Sequence, residues 1–165
     1  MKTAISLLTK NYVNYNLWAN TKLVEWLRTK DEDLMEQHVP SSFPGIGPTL
    51  EHIRQTERYW LSVLKKEPSK TFKEVKGTLE DTFTGVLKQS SELANYIHVL
   101  AEENTEEKIL IESPWFRSDF PAFEYVMHCV NHSTYHRGQV ITIGRNLGFT
   151  DAPMTDYNFY NVEKQ

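Results

Sequence analysis

The chain has a single cysteine, Cys129, among 165 residues. One thiol cannot build an internal disulfide framework, so the fold is expected to rest on packing and to suit a reducing, cytoplasmic setting. Long apolar runs are also missing. No stretch approaches the roughly 20 residues that span a bilayer, and Asn11, Asn14 and Asn16 interrupt the N-terminal segment before it can form a signal peptide's apolar core. Positive charge is not in excess: the formal net charge is −4 and no basic block occurs. Direct nucleic-acid binding and attachment to an anionic membrane surface are therefore not expected. Glycine and proline number only seven each, which sets aside fibrous and low-complexity chains. There is no Ser/His/Asp arrangement, no phosphate-cradling glycine loop and no persuasive carboxylate pair. What remains is one globular domain, residues 1–165, long enough to bury a core.

Four long helical patterns are present. In the first, about Ile5 to Leu27, the residues Ile5, Leu8, Tyr12, Tyr15, Ala19, Leu23 and Trp26 recur at steps of three and four. The segment Ser41–Pro48 reads as a loop, with Pro48 in the first turn of a second helix that carries Leu50, Ile53, Trp60, Leu61 and Leu64. The third pattern runs from Phe83 to Ala101. Lys108–Ile111 suits a short extended stretch. The fourth helix is expected to start near Asp119-Phe120-Pro121, run to Leu147 and stop at Gly148. The tail from Thr150 is expected to pack over one bundle end. This is the pattern of an all-α, four-helix bundle, and the connection around Glu67 to Leu79 is long enough for a crossover between helices two and three.

The fourth helix carries His128, His132 and His136 at four-residue steps. Residues four apart share a helix face, so two imidazoles can reach one ion. With His132 at zero, a rotation of ~100° per residue puts His136 at about 40°, Tyr125 and Ile143 at about 20° and Cys129 at about 60°, among inward-facing residues. His128 lies at about −40°, and its separation from His136, about 12 Å of rise, prevents all three from sharing one ion. A further ligand has to come from elsewhere. His52 is the best candidate, because Thr56, Trp60 and Val63 lie within the arc that begins at it. His98 is a weaker alternative and His38 reads as a loop residue. Each histidine also has a plain reading as a hydrogen-bonded core residue. Tyr15, Trp18 and Trp60 suit either the core or the lining of a metal pocket, and Cys129 a small buried hydrophobe.

Three further segments accompany the histidines: Tyr15-Asn16-Leu17-Trp18-Ala19-Asn20, Leu50-Glu51-His52-Ile53 with Trp60-Leu61, and Asn131-His132-Ser133-Thr134-Tyr135-His136-Arg137-Gly138-Gln139. With the ending Pro153-Met154-Thr155-Asp156-Tyr157, they resemble the DinB/YfiT-like superfamily of metal-binding four-helix bundles over nearly the whole chain. The resemblance implies that His52, His132 and His136 form a three-histidine site for a divalent metal ion (nickel, zinc or iron). It implies an enzyme acting on a small-molecule substrate, either a transferase using a low-molecular-weight thiol or a metal-water hydrolase, and a homodimer. The alternative is a non-catalytic, stress-associated metal-binding protein. Asn131 and Glu57 are candidates to hydrogen-bond the ligating rings. Arg137 and Gln139 suit either substrate orientation or, for Arg137, a bracing pair with a carboxylate.

Overall fold

The computed structural model describes residues 4–67, 77–114 and 116–164. Four long helices dominate: α1 (Ala4–Leu27), α3 (Ile46–Leu64), α4 (Leu79–Val99) and α6 (Ala122–Asn146). Between them lie two single-turn helices, α2 (Glu32–Met35) and α5 (Glu102–Thr105), and a hairpin of β1 (Lys108–Glu112) and β2 (Arg117–Pro121). A short helix, α7 (Tyr157–Glu163), closes the chain.

The caps show why the helices begin and end where they do. Thr78 and Asp81 form a reciprocal capping box at the start of α4. At the end of α6 the chain turns through Gly148, at φ +90°, while Phe149 N–H donates to the Gly144 carbonyl and Gly148 N–H to that of Arg145. Glycine is favoured at this position because the left-handed conformation crowds a Cβ. Pro48 sits in the first turn of α3, as its fixed φ and missing N–H allow.

The bundle runs up, down, down, up. Tyr12 meets Asn131 and Trp26 meets Gly144, so α1 and α6 are parallel. His52 lies beside His136 and Trp60 beside Tyr125, so α3 opposes α6. Arg28 pairs with Glu80 and Asn14 with His98, so α4 opposes α1. Leu64 ends next to Tyr96 whereas Leu79 starts next to Gly47, which makes α3 and α4 parallel. The end of α3 and the start of α4 thus lie at opposite ends of the bundle, and the connection expected to cross over there includes residues 68–76, which lie outside the described residues. Among the described residues no helix is long and apolar enough to cross a membrane.

Two expectations need correction. The fourth helix starts at Ala122, directly after the expected Asp119-Phe120-Pro121 entry, but that entry is strand: residues 117–121 are drawn into β2, with Ile109 opposite Phe120 and Ile111 opposite Ser118. Tyr125 ties this hairpin down, its hydroxyl donating to the Ile109 carbonyl at 2.9 Å and accepting from Phe120 N–H at 3.2 Å. The tail does not cover a bundle end. It lies along the flank of α1, where Tyr157 and Tyr160 pack on Tyr15 and Glu163 accepts from Trp18. Tyr15 and Trp18 thereby belong to the packing between α1 and the tail and line no pocket at the histidines.

The core is two apolar clusters. One gathers Val13, Ala19, Leu61, Leu93, Val126 and Cys129; the other gathers Leu23, Leu27, Leu50, Ile53, Val86 and Ile143. Between them lies a buried polar layer. The Glu57 carboxylate, fully buried, accepts from Asn16 Nδ2 (2.7 Å), Asn20 Nδ2 (3.1 Å), Ser133 Oγ (3.1 Å) and Ser90 Oγ (2.7 Å). The Arg137 guanidinium, also buried, donates to the Asn16 and Asn20 carbonyl oxygens at 2.8 and 3.0 Å, and to Tyr15 and Thr134 hydroxyls. The two asparagines thus relay between carboxylate and guanidinium. Arg137 braces the bundle through them and not by direct pairing with a carboxylate. Burial pushes the Glu57 pKa up, and hydrogen bonds from Asn16, Ser90 and Ser133 together with Arg137 pull against that shift.

A candidate metal centre between α3 and α6

The antiparallel seam of α3 and α6 brings His52, His132 and His136 together. His52 Nε2 and His136 Nε2 each lie 3.1 Å from His132 Nε2. The helical repeat accounts for the α6 pair, and the opposed α3 supplies the third ring from 80 residues away. The loop before α3 completes the surroundings. Its Gly45 has φ +142°, a conformation open to glycine, and the chain folds so that Phe43 stacks on His52 with centroids 4.3 Å apart and approaches His136 at 5.6 Å.

Hydrogen bonding fixes one ring. His136 Nδ1 lies 2.7 Å from Gln139 Oε1, and Gln139 Nε2 donates to Ser42 Oγ at 2.8 Å. With the amide in this orientation Nδ1 carries the proton, which leaves the His136 Nε2 lone pair facing the centre. Burial, reinforced by the neighbouring imidazoles His136, His52 and His128, pulls the His132 pKa down to about 4. Burial and His136 also lower that of His52. These two rings are thus held in the neutral form that a metal requires.

The donor set fits an ion. Nitrogen ligands about 2.0–2.1 Å from one metal lie roughly 3.0–3.4 Å from each other, as His132 Nε2 does from each of its two neighbours, and all three ligand atoms lie within 4.8 Å of one another. A single proton on His132 Nε2 cannot satisfy two neighbouring nitrogens, whereas one shared cation satisfies all three. His136 is buried while His52 and His132 are partly exposed, so the centre has an open side.

The other candidates lie elsewhere. His128 is exposed one turn before His132, its ring against Trp60. His98 pairs with Asn14 at the surface, and His38 is an exposed loop residue. Asn131 accepts from Tyr12 and Glu57 sits in the polar layer, so neither hydrogen-bonds a histidine of the centre. That part is played by Gln139, with Phe43 and Ser42 as neighbours that no helical periodicity could have picked out. Cys129 is fully buried, and burial raises its pKa well above the usual thiol range.

Comparison with known proteins agrees with this architecture. The model of the DinB family matches residues 1–165. The chain belongs to the DinB family. It is 29% identical over 154 residues to the protein DinB of Bacillus subtilis, covering 88% of this chain and 89% of that one. Two solved DinB-like structures share the fold. One, from Bacillus cereus, has a TM-score of 0.68 at 17% identity, covering 86% of this chain and 91% of its own. The other, from Bacillus subtilis, has a TM-score of 0.62 at 15% identity, covering 93% and 98%. The bundle described here is thus a DinB-family bundle, and its three-histidine group could hold a metal ion.

Proposed function

We propose that this DinB-family chain is a metal-dependent enzyme, a transferase or hydrolase that acts on a small molecule at a divalent ion held by His52, His132 and His136. The observation that carries the reading is the convergence of three histidine Nε2 atoms, 3.1 Å apart along the chain of contacts, at a seam with one open side. Three protein ligands with positions left free are the arrangement of catalytic metal sites, whereas structural sites are closed by four. When bound, a divalent ion supplies Lewis acidity that lowers the pKa of a water or thiol placed beside it. Nickel, zinc and iron all suit an imidazole set, and affinity among them follows the intrinsic order of the metals.

The protein's own residues do the rest. Gln139 holds the His136 ring in the ligating tautomer, Phe43 shields His52 on one side, and the Glu57–Asn–Arg137 layer keeps α3 and α6 in register beneath the site. If the reaction uses a thiol, that thiol is a separate low-molecular-weight compound, because the chain's own Cys129 is buried and protonated. A reducing cytoplasm suits both. The reading includes a homodimer, supported by Leu7 and Leu8 standing exposed on α1.

The deciding experiment is elemental mass spectrometry on tag-free protein beside His52→Ala and His136→Ala. Near-stoichiometric metal in the parent and its loss in both variants is the expected result. A parent that stays folded without metal and cannot be loaded sinks the proposal. A loaded protein whose ion admits no exogenous ligand would favour the non-catalytic alternative.

A further inference from the structure

One turn before the metal ligands, α6 and the β1–β2 hairpin enclose a cavity of about 360 Å³ that the metal centre does not use. Trp60 and Tyr125 form its floor, stacked with ring centroids 5.3 Å apart and planes 17° from parallel. Phe116 and Phe120 lean over it from the hairpin, 43% and 53% exposed. The Tyr125 hydroxyl is already committed to Ile109, Phe120 and Ser118, so the tyrosine offers its ring and not its oxygen. The polar groups at the rim are Glu124 and His128, four residues apart and hence neighbours on α6. His128 in turn lies 6.3 Å, ring to ring, from His132.

We infer that this cavity seats a flat, apolar group, an aromatic ring or its equivalent, of the small molecule on which the centre acts. Its polar, reactive end then passes over His128 to the three histidines. The volume is that of a small-ligand pocket, and its composition, aromatic walls with a few polar groups at one edge, is the usual one for such sites. Aromatic faces select planar ligands because offset stacking and edge contacts need a flat partner. The hairpin supplies the specificity: Phe120 and Ser118 lie on its inner face with Ile109 and Ile111, whereas Leu110 and Asp119 point away. The inference rests on the metal-centre reading for the direction in which the ligand points, but not for the pocket itself.

The test uses 4-fluorobenzyl alcohol as the probe, titrated against full-length protein and followed by ¹⁹F NMR. The variants are Phe120→Ser in the pocket and Leu110→Ser on the opposite face of the same hairpin, both at exposed positions so that folding is retained. The expected result is saturable binding to the parent and to Leu110→Ser, weakened at least five-fold in Phe120→Ser. With cobalt(II) in the site, the bound probe's line is expected to broaden well beyond its width with zinc(II). Binding that is absent, or equal in all three proteins, overturns the pocket. Saturable binding without cobalt broadening in loaded protein overturns its role as the substrate's seat. Failure to load either metal counts against the metal centre instead, and the pocket is then judged by the two variants alone.

Discussion

Replacing Glu57 by alanine tests the polar layer most directly. In the native bundle its carboxylate accepts from Asn16 Nδ2, Ser133 Oγ and Ser90 Oγ, while Asn20 Nδ2 also has Ser90 to donate to. Alanine leaves those first three donors buried without an acceptor, at about 1 kcal/mol or more each. It also leaves the Arg137 guanidinium buried with no counter-charge behind its two asparagines, and breaking a buried pair on one side costs about 3–5 kcal/mol. The terms overlap, so the expected loss is about 3–5 kcal/mol, enough to unfold a marginal domain. Glutamine keeps the shape and one acceptor oxygen but also removes the counter-charge, so it is expected to be less damaging than alanine by about 1–2 kcal/mol. Urea unfolding of metal-free protein at pH 7, followed by far-UV circular dichroism, measures both. The double replacement Glu57→Leu with Arg137→Met removes both charges and should be less damaging than the two single changes added together. An alanine variant within about 1 kcal/mol of the parent, or a glutamine variant as damaged as alanine, would refute the account.

Gln139→Leu removes the acceptor for His136 Nδ1 and should weaken metal affinity about 10- to 100-fold without unfolding the protein, as read by competition with a chromogenic chelator. The metal-free protein should lose stability as pH falls. Burial lowers the pKa values of His52, His128 and His132, the last to about 4, so between the ordinary value near 6.5 and that point the unfolded chain takes up protons that the folded one resists. A thermal midpoint that does not drop between pH 7 and pH 4.5, or drops equally in His132→Gln, contradicts this. Two glycines of α6 should respond in opposite directions to alanine. A Cβ at Gly138 meets nothing within 4 Å and should stabilise by about 0.5–1 kcal/mol. One at Gly144 would lie 2.7 Å from the Trp26 ring and should destabilise by about 1–3 kcal/mol.

The helices and the faces the histidines take on them were legible because both are written in local periodicity, whereas the grouping of His52 with His132 and His136 was what the family resemblance implied. The angular position of His132 and His136, and of His52 relative to Trp60, follows from one repeat on one helix at a time. The polar layer was not legible in that way. Asn16, Asn20, Glu57 and Ser133 each interrupt an apolar face and look like isolated polar residues. Their meaning appears only when parallel α1 and α6 meet antiparallel α3 and α4, which is a fact of topology. Gln139 escaped assignment to His136 for a related reason: whether it turns to the ring or to substrate depends on Ser42, in a loop with no repeat. Strand β2 went unread because Phe120-Pro121 has the chemistry of a helix entry, while β1 offers residues 117–121 a competing partner. The last helix, α7, is held by tyrosine packing on α1 and not by a long amphipathic pattern of its own.

The division of the three histidines between one helix and another has a thermodynamic corollary. An ion bound to all three acts as a removable cross-link that closes a loop from position 52 to position 132, so it holds the native chain together by mass action: at a concentration 100 times its dissociation constant it adds about 2.7 kcal/mol. The pair on α6, however, is a local sequence feature that survives unfolding. Residual grip by His132 and His136 on the ion in the denatured chain reduces that gain, and only the ligand from α3 reports native structure. Metal protection of this bundle is therefore, in large part, a measure of how firmly His52 is brought to its place.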